Sequence, residues 1–228
     1  MTMTATLSRE ETREKIVAAF MDLLADRDLH AVTLAATAER AGLTLGEVRA
    51  AFDGRLAIIS AFVASIDRAV LDGMDPDLAD QDTKERLFDV LMRRLDLLAP
   101  HKAAVRRLSS AAMRDPGLAL ALNGLAVTSQ RWMLAAAGVE VPGPGGAIRA
   151  QGLALAFAKV VRAWLDDDDP ALARTMRVLD QELARAGRAA GVLKTVERLT
   201  APLCSLLCAP FHRGGRGRSG PDRDEAPG

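Results

Sequence analysis

The chain has 228 residues, 49% of them apolar and 26% charged, with 30 basic and 30 acidic side chains in formal balance. That length and apolar content supply a full core and exclude a chain disordered throughout. The charge is neutral in total but unevenly placed: residues 1–72 hold eight Lys/Arg against eleven Asp/Glu, and residues 185–228 hold eight against four.

Tyr is absent and Phe and Trp are few, while Ala, Leu and Arg abound, which favours helix over strand and predicts an all-α protein. No run approaches eighteen uncharged apolar residues, and the N-terminal MTMTATLSREETREK lacks an apolar stretch ahead of its charges. Neither a transmembrane helix nor a signal peptide is therefore expected, and the predicted location is the cytoplasm. Cys204 and Cys208, one helical turn apart, suit side-by-side packing and not a stapling disulfide, in keeping with a reducing compartment.

In chain order, Ser8 with Glu11 three residues on forms a capping-box pattern, and Ile16, Ala19, Phe20, Leu23 and Leu24 recur at helical spacing, so a first helix is predicted over about 8–27. Thr33 caps LAATAERA, Gly42 closes it, and Thr44 caps LGEVRAAF, giving helix, tight turn, helix. A longer amphipathic helix is expected over about 55–71, with Leu56, Ile59, Phe62, Val63, Ile66 and Val70 on its apolar side. The acidic, turn-rich DGMDPDLADQD reads as a hinge, followed by helices at about 83–98, 101–114 and 117–137. GVEVPGPGG is expected to be a loop, and helices resume at about 147–166 and 171–187, the second started by Asp169 as N-cap and Pro170 as its first residue. The predicted organisation is a headpiece over 1–54, a helical body over 55–211 ending in an amphipathic helix at about 191–211, and a tail over 212–228 with the composition of a disordered segment.

A three-helix headpiece with a helix-turn-helix, a connecting fourth helix and five or more further helices resembles the TetR-type transcriptional regulators. The likeness is clearest at REKIVAAFMDLL, at VTLAATAERAGLTLGEV and at Phe52. It implies a ligand-responsive, DNA-binding repressor in which an effector in the second domain changes the spacing of two headpieces. A homodimer through the helices at about 147–187 is expected, because Ala, Leu and Val line them on more than one side. The chain departs from the family where Tyr is usual on the recognition helix: Arg49 stands there, and Ala51 fills the second frequent aromatic position. Arg55 keeps the usual cation at the start of the fourth helix, and Glu47 replaces a small hydroxyl residue. A carboxylate facing phosphates repels them, and the net acidic headpiece weakens the sequence-independent attraction to DNA.

The weakened recognition helix and the C-terminal GVLKTVERLTAPLCSLLCAPF are also similar to the lipid-binding proteins of coenzyme Q biosynthesis, which share this fold. That second resemblance implies a lapsed DNA headpiece and a membrane-associating last helix. Its apolar side would carry Val192, Val196, Leu199, Leu203, Leu206 and Leu207, with Lys194 and Arg198 meeting an anionic membrane surface. The same helix also reads as one folded onto its own domain or onto a dimer partner.

For DNA contact the candidates are Thr33, Thr44, Glu47, Arg49 and Arg55. Thr33 would present a helix N-terminus to a phosphate, Glu47 would accept from a cytosine amino group, and Arg49 would read guanine or a phosphate. The alternative is a solvated surface helix anchored by Val48 and Phe52. For a small apolar effector the candidates are Met92, Leu95, Met113, Leu125, Trp132, Met133, Phe157 and Trp164, on the apolar sides of the body helices, where such residues also serve simply as core. DDDDP at 166–170 is better explained by helix capping than by a metal. Cys204, Cys208 and His212 lack a fourth ligand and are interrupted by Pro210. No metal, no cofactor and no catalytic constellation is expected, so the chain is not read as an enzyme.

Overall fold

The computed structural model describes residues 8–75, 80–139 and 143–188. Every regular element among the described residues is a helix, in agreement with the all-α expectation. In order they are α1 (Arg9–Asp26), α2 (Leu34–Ala41), α3 (Leu45–Ala51), α4 (Arg55–Asp72), α5 (Thr83–Leu98), α6 (Lys102–Ala112), α7 (Pro116–Ala136), α8 (Gly143–Leu165) and α9 (173–188), with 3-10 turns at Leu29–Ala31 and Ala99–His101.

The headpiece helices start where their caps place them. Ser8 Oγ accepts from the Glu11 N–H at 3.2 Å, and Glu11 Oε2 accepts from the Ser8 N–H at 2.7 Å, which satisfies two of the donors that a helix start leaves open. Thr33 Oγ1 accepts from the Ala36 N–H at 3.1 Å to start α2. Gly42 ends it in the left-handed region at φ 67°, where a side chain would be strained, and this sets the tight turn into α3. Ile16, Phe20, Leu23 and Leu24 of α1 are buried and pack against α2, α4 and α6. Val48 and Phe52 anchor α3 from inside, and the Arg13 guanidinium lies 4.1 Å from the centre of the Phe52 ring while donating to the Ala51 carbonyl.

α4 runs from headpiece to body, packing on α1, α5 and α7. Its buried side is Ile58, Ile59, Phe62, Ile66 and Val70, while Leu56, expected inside, is exposed. Ile59, Phe62, Ile66 and Val70 are on the predicted face, and Ile58 joins them at its edge because the helix packs on several partners. Phe62 meets His101 edge-on, ring centres 4.9 Å apart, which ties α4 to the turn between α5 and α6.

Two helix starts differ from expectation. α8 begins at Gly143, inside the stretch expected to be a loop, because Pro144 is tolerated in a first turn where its missing N–H has no helical partner to lose. α9 begins at 173 and not at Asp169–Pro170. Asp169 Oδ1 accepts from the Ala171 N–H at 3.0 Å and so closes a preceding turn, and Leu172 then takes a left-handed φ of 50°. The helix start is satisfied from a distance by Asp167, whose Oδ2 accepts from the Thr175 N–H at 2.9 Å and from its hydroxyl at 2.7 Å. Those two hydrogen bonds, side chain first, hold the buried Asp167 carboxyl below its ordinary value.

Candidate nucleic-acid interface and ligand groove

α3 presents Leu45, Gly46, Glu47, Arg49 and Ala50 outward while Val48 is buried. Thr44 caps the helix, its Oγ1 accepting from the Glu47 N–H at 3.2 Å. The Glu47 carboxylate folds back on the same cap, accepting from the Thr44 N–H at 2.7 Å and the Thr44 hydroxyl at 2.8 Å. These bonds, the backbone one first, lower the Glu47 pKa. Its charge therefore complements the start of its own helix instead of standing free toward a base.

Arg55 Nη1 donates to the Leu29 carbonyl at 2.8 Å, which fastens the start of α4 to the 3-10 turn after α1. Arg49 is different. Its side chain is 71% exposed and, among the described residues, pairs with Asp53, one turn on, at 2.7 Å. Of the five residues singled out for DNA, Thr33 and Thr44 are caps, Glu47 reinforces a cap, Arg55 is a tertiary tie, and Arg49 keeps a guanidinium on the outer face.

Two further outward groups border this helix. Arg40 is exposed in the last turn of α2, just before the tight turn. Leu45 is 52% exposed. Leu45 lies three residues before Val48 and seven before Phe52, so periodicity alone would place it in the core. As the first residue of α3 it extends past the packing partners that cover the other two.

The body carries an open groove of about 370 Å³ between α4 and α7. Val63, Asp67 and Leu71 line one side, and Leu125, Ser129 and Trp132 the other. At its base Asp67 Oδ1 accepts from both Arg94 Nη1 and Ser129 Oγ, the latter at 2.7 Å, which joins α4, α5 and α7 through one carboxylate oxygen. Asp67, Arg94 and Ser129 are all buried. Arg94 Nε and the neighbouring Gln130 Oε1 are buried without a hydrogen-bond partner. A second depression, of about 830 Å³, shares Thr128 and Trp132 and reaches the start of α8.

The eight residues expected to form an effector pocket fall in different settings. Leu125 and Trp132 line the groove. Leu95, Met133, Phe157 and Trp164 are core residues, Met92 is half-buried, and Met113, at the end of α6, is 72% exposed. The apolar stripes that select such residues mark the helix faces that pack together, and a groove forms where such packing is incomplete. Asp67 and Ser129 had no sequence signal, since nothing in a helical wheel distinguishes a buried polar residue with a distant partner from an ordinary solvent-facing one. The residues expected to meet a membrane, Val192, Lys194, Val196, Arg198, Leu199, Leu203, Leu206 and Leu207, lie outside the described residues. No helix among the described residues is long and apolar enough to cross a membrane.

The arrangement of a capped helix-turn-helix headpiece, a connecting α4 and a helical body is the fold of the TetR-type transcriptional regulators. Among solved structures, a TetR transcriptional regulator from Nitrosomonas europaea superposes with a TM-score of 0.62 at 21% identity, covering 77% of this chain and 97% of its own. A TetR transcriptional regulator from a Rhodococcus species gives 0.55 at 19% identity, covering 78% of this chain and 97% of its own. A TetR-family regulator from Streptomyces coelicolor gives 0.52 at 18% identity, covering 89% of this chain and 93% of its own. No family model matches the sequence, and no curated protein matches it. What these structures share with this chain is the fold.

Proposed function

We propose that this protein is a transcriptional regulator of the TetR type: a cytoplasmic, non-enzymatic homodimer that represses by binding DNA through α3 and releases it when a small molecule occupies the body. The observation that carries this reading is the headpiece geometry. Both helices of the motif have hydroxyl N-caps, a left-handed Gly42 sets the turn between them, and α3 is locked by Val48 and Phe52 with its opposite face open to a major groove. Arg49 is the base- or phosphate-reading cation, Arg40 at the end of α2 serves for backbone contact, and Leu45 meets a thymine methyl.

Dimerisation rests on α8 and α9. Ile148 and Leu155 are 55% and 56% exposed, two turns apart on one side of α8 with Gly152 between them, and Met176 of α9 is 37% exposed. A second copy covering that strip would bring two headpieces to a fixed spacing, as paired half-sites require. The test is selection from a random double-stranded DNA library at low salt with the purified full-length chain, beside light scattering. Enrichment of a two-half-site sequence by a dimer supports the reading, and a monomer that enriches nothing removes it.

A further inference from the structure

We infer that the groove between α4 and α7 is a binding site for a small apolar cation, an arylalkylammonium or a molecule like it, whose N–H donates to Asp67 Oδ2 while its ring lies against Trp132. This deepens the effector-responsive reading above and rests on the body being the effector domain.

The first ground is an incomplete ion pair. An Arg–carboxylate pair frequently uses both carboxylate oxygens in parallel bonds. Here Arg94 Nη1 and Ser129 Oγ both converge on Oδ1, Arg94 Nε makes no bond, and Oδ2 has no hydrogen-bond partner among the described residues. Asp67 retains about one tenth of its side-chain exposure, and that part opens into the groove. A carboxylate oxygen at the base of an apolar cleft with acceptor capacity unused is a seat for a donor.

The second ground is the charge and character of the walls. Asp72 adds a second carboxylate along the same side of α4. The cation that also lines the groove, Arg68, has its guanidinium 3.7 Å from Glu10 of α1. Val63, Leu71 and Leu125 supply apolar contact, and Trp132, 55% exposed, offers an indole to both a ring and a positive charge. An anion would meet the Asp67 and Asp72 carboxylates there, against one lining guanidinium, Arg68, that is drawn toward Glu10. A neutral isostere would keep the apolar contact and lose both the charge and the indole attraction.

Trp132 also provides the readout, because the second tryptophan, Trp164, is buried in the core. Full-length protein is titrated with phenethylammonium, with the neutral 3-phenylpropanol and with 3-phenylpropionate, following tryptophan emission, and Trp132→Phe assigns the signal. The expected result is saturable quenching by the ammonium, at least tenfold weaker for the alcohol and absent for the carboxylate. Asp67→Asn should lose tenfold or more for the ammonium alone. Because that substitution leaves Arg94 without its counter-charge and can unfold the chain, Leu125→Trp, which fills the groove without touching the charges, serves as the second variant and should abolish binding of both the ammonium and the alcohol. Equal affinity for the three probes, no saturable quenching by the ammonium, or full binding to the Leu125→Trp variant would overturn the inference. The DNA selection described above is run without probe. Enriched DNA with no ammonium binding sinks the ligand class and leaves the regulator; ammonium binding with no enriched DNA does the reverse.

Discussion

The headpiece and the body use their polar side chains at different ranges. In the headpiece most side-chain hydrogen bonds are local: Ser8 with Glu11, Thr33 with Ala36 and Thr44 with Glu47 span three residues, and Arg49 with Asp53 spans four. In the body local bonds are joined by many that reach across the chain: Asp67 is joined to Arg94 and Ser129, 27 and 62 residues away, and Lys102 and Arg106 reach the Asp167 and Leu165 carbonyls, 65 and 59 residues away. Local bonds set where helices begin, so the headpiece is a small module with its outer face free. Long-range bonds set which helices stay together, so the body holds α4 against α5 and α7 at one buried carboxylate. α4 also packs on α1 of the headpiece, so the helix that carries this carboxylate touches both regions.

The sharpest way to break this contrast is at Asp67. Asp67→Ala leaves the Arg94 guanidinium buried without a partner and is expected to cost about 3–5 kcal/mol, read by urea denaturation, whereas the double replacement Asp67→Leu with Arg94→Met should be nearly neutral in stability. A single-mutant loss below about 1 kcal/mol would mean that the pair is not shielded from water as the structure has it.

The same contrast explains what could be read in advance. The helix boundaries of the headpiece were legible because Ser8, Thr33 and Thr44 each cap a helix that starts at the next residue. The start of α9 was not, because the carboxylate that satisfies it, Asp167, sits eight residues before the N–H it accepts from, while the nearer Asp169 closes a turn. At the candidate interface, Arg49 was identifiable by position, but the engagement of Arg55 with the Leu29 carbonyl depends on two elements meeting in space. The groove was invisible for the same reason: Asp67 and Ser129 become a site only when α4 and α7 are side by side.

Removal of the Thr44 cap, by Thr44→Ala, should cost about 1 kcal/mol and fray α3, detectable as faster amide exchange at Glu47 and Val48. Unchanged exchange there would mean that packing of Val48 and Phe52 alone holds α3.

Asp167 gives a pH-dependent test. Its carboxyl is held below the ordinary value by the Thr175 bonds, so the stability it contributes is present above about pH 4 and is lost as the pH falls through its folded-state value. The melting temperature of Asp167→Asn should therefore lie below that of the parent at pH 7, with the gap narrowing toward pH 3. A gap constant with pH would show that the charge of Asp167 is not what the Thr175 bonds stabilise.

The smallest stability effect belongs to Arg49. Its exposed pair with Asp53 contributes little, and Arg49→Ala should change stability by no more than about 0.5 kcal/mol. That near-neutrality makes it the cleanest probe of function, unlike Arg55→Ala, which also cuts the tie to the 3-10 turn.

The most direct measurement is accordingly the affinity of the parent and of Arg49→Ala for the sequence recovered by DNA selection, followed across a salt series. An active headpiece predicts weaker binding by the variant and, if Arg49 meets a phosphate, a salt slope smaller by about 1, with the fold unchanged. Equal affinity and equal salt slope for the two proteins, or the failure of any sequence to be enriched at low salt, would contradict DNA reading by α3.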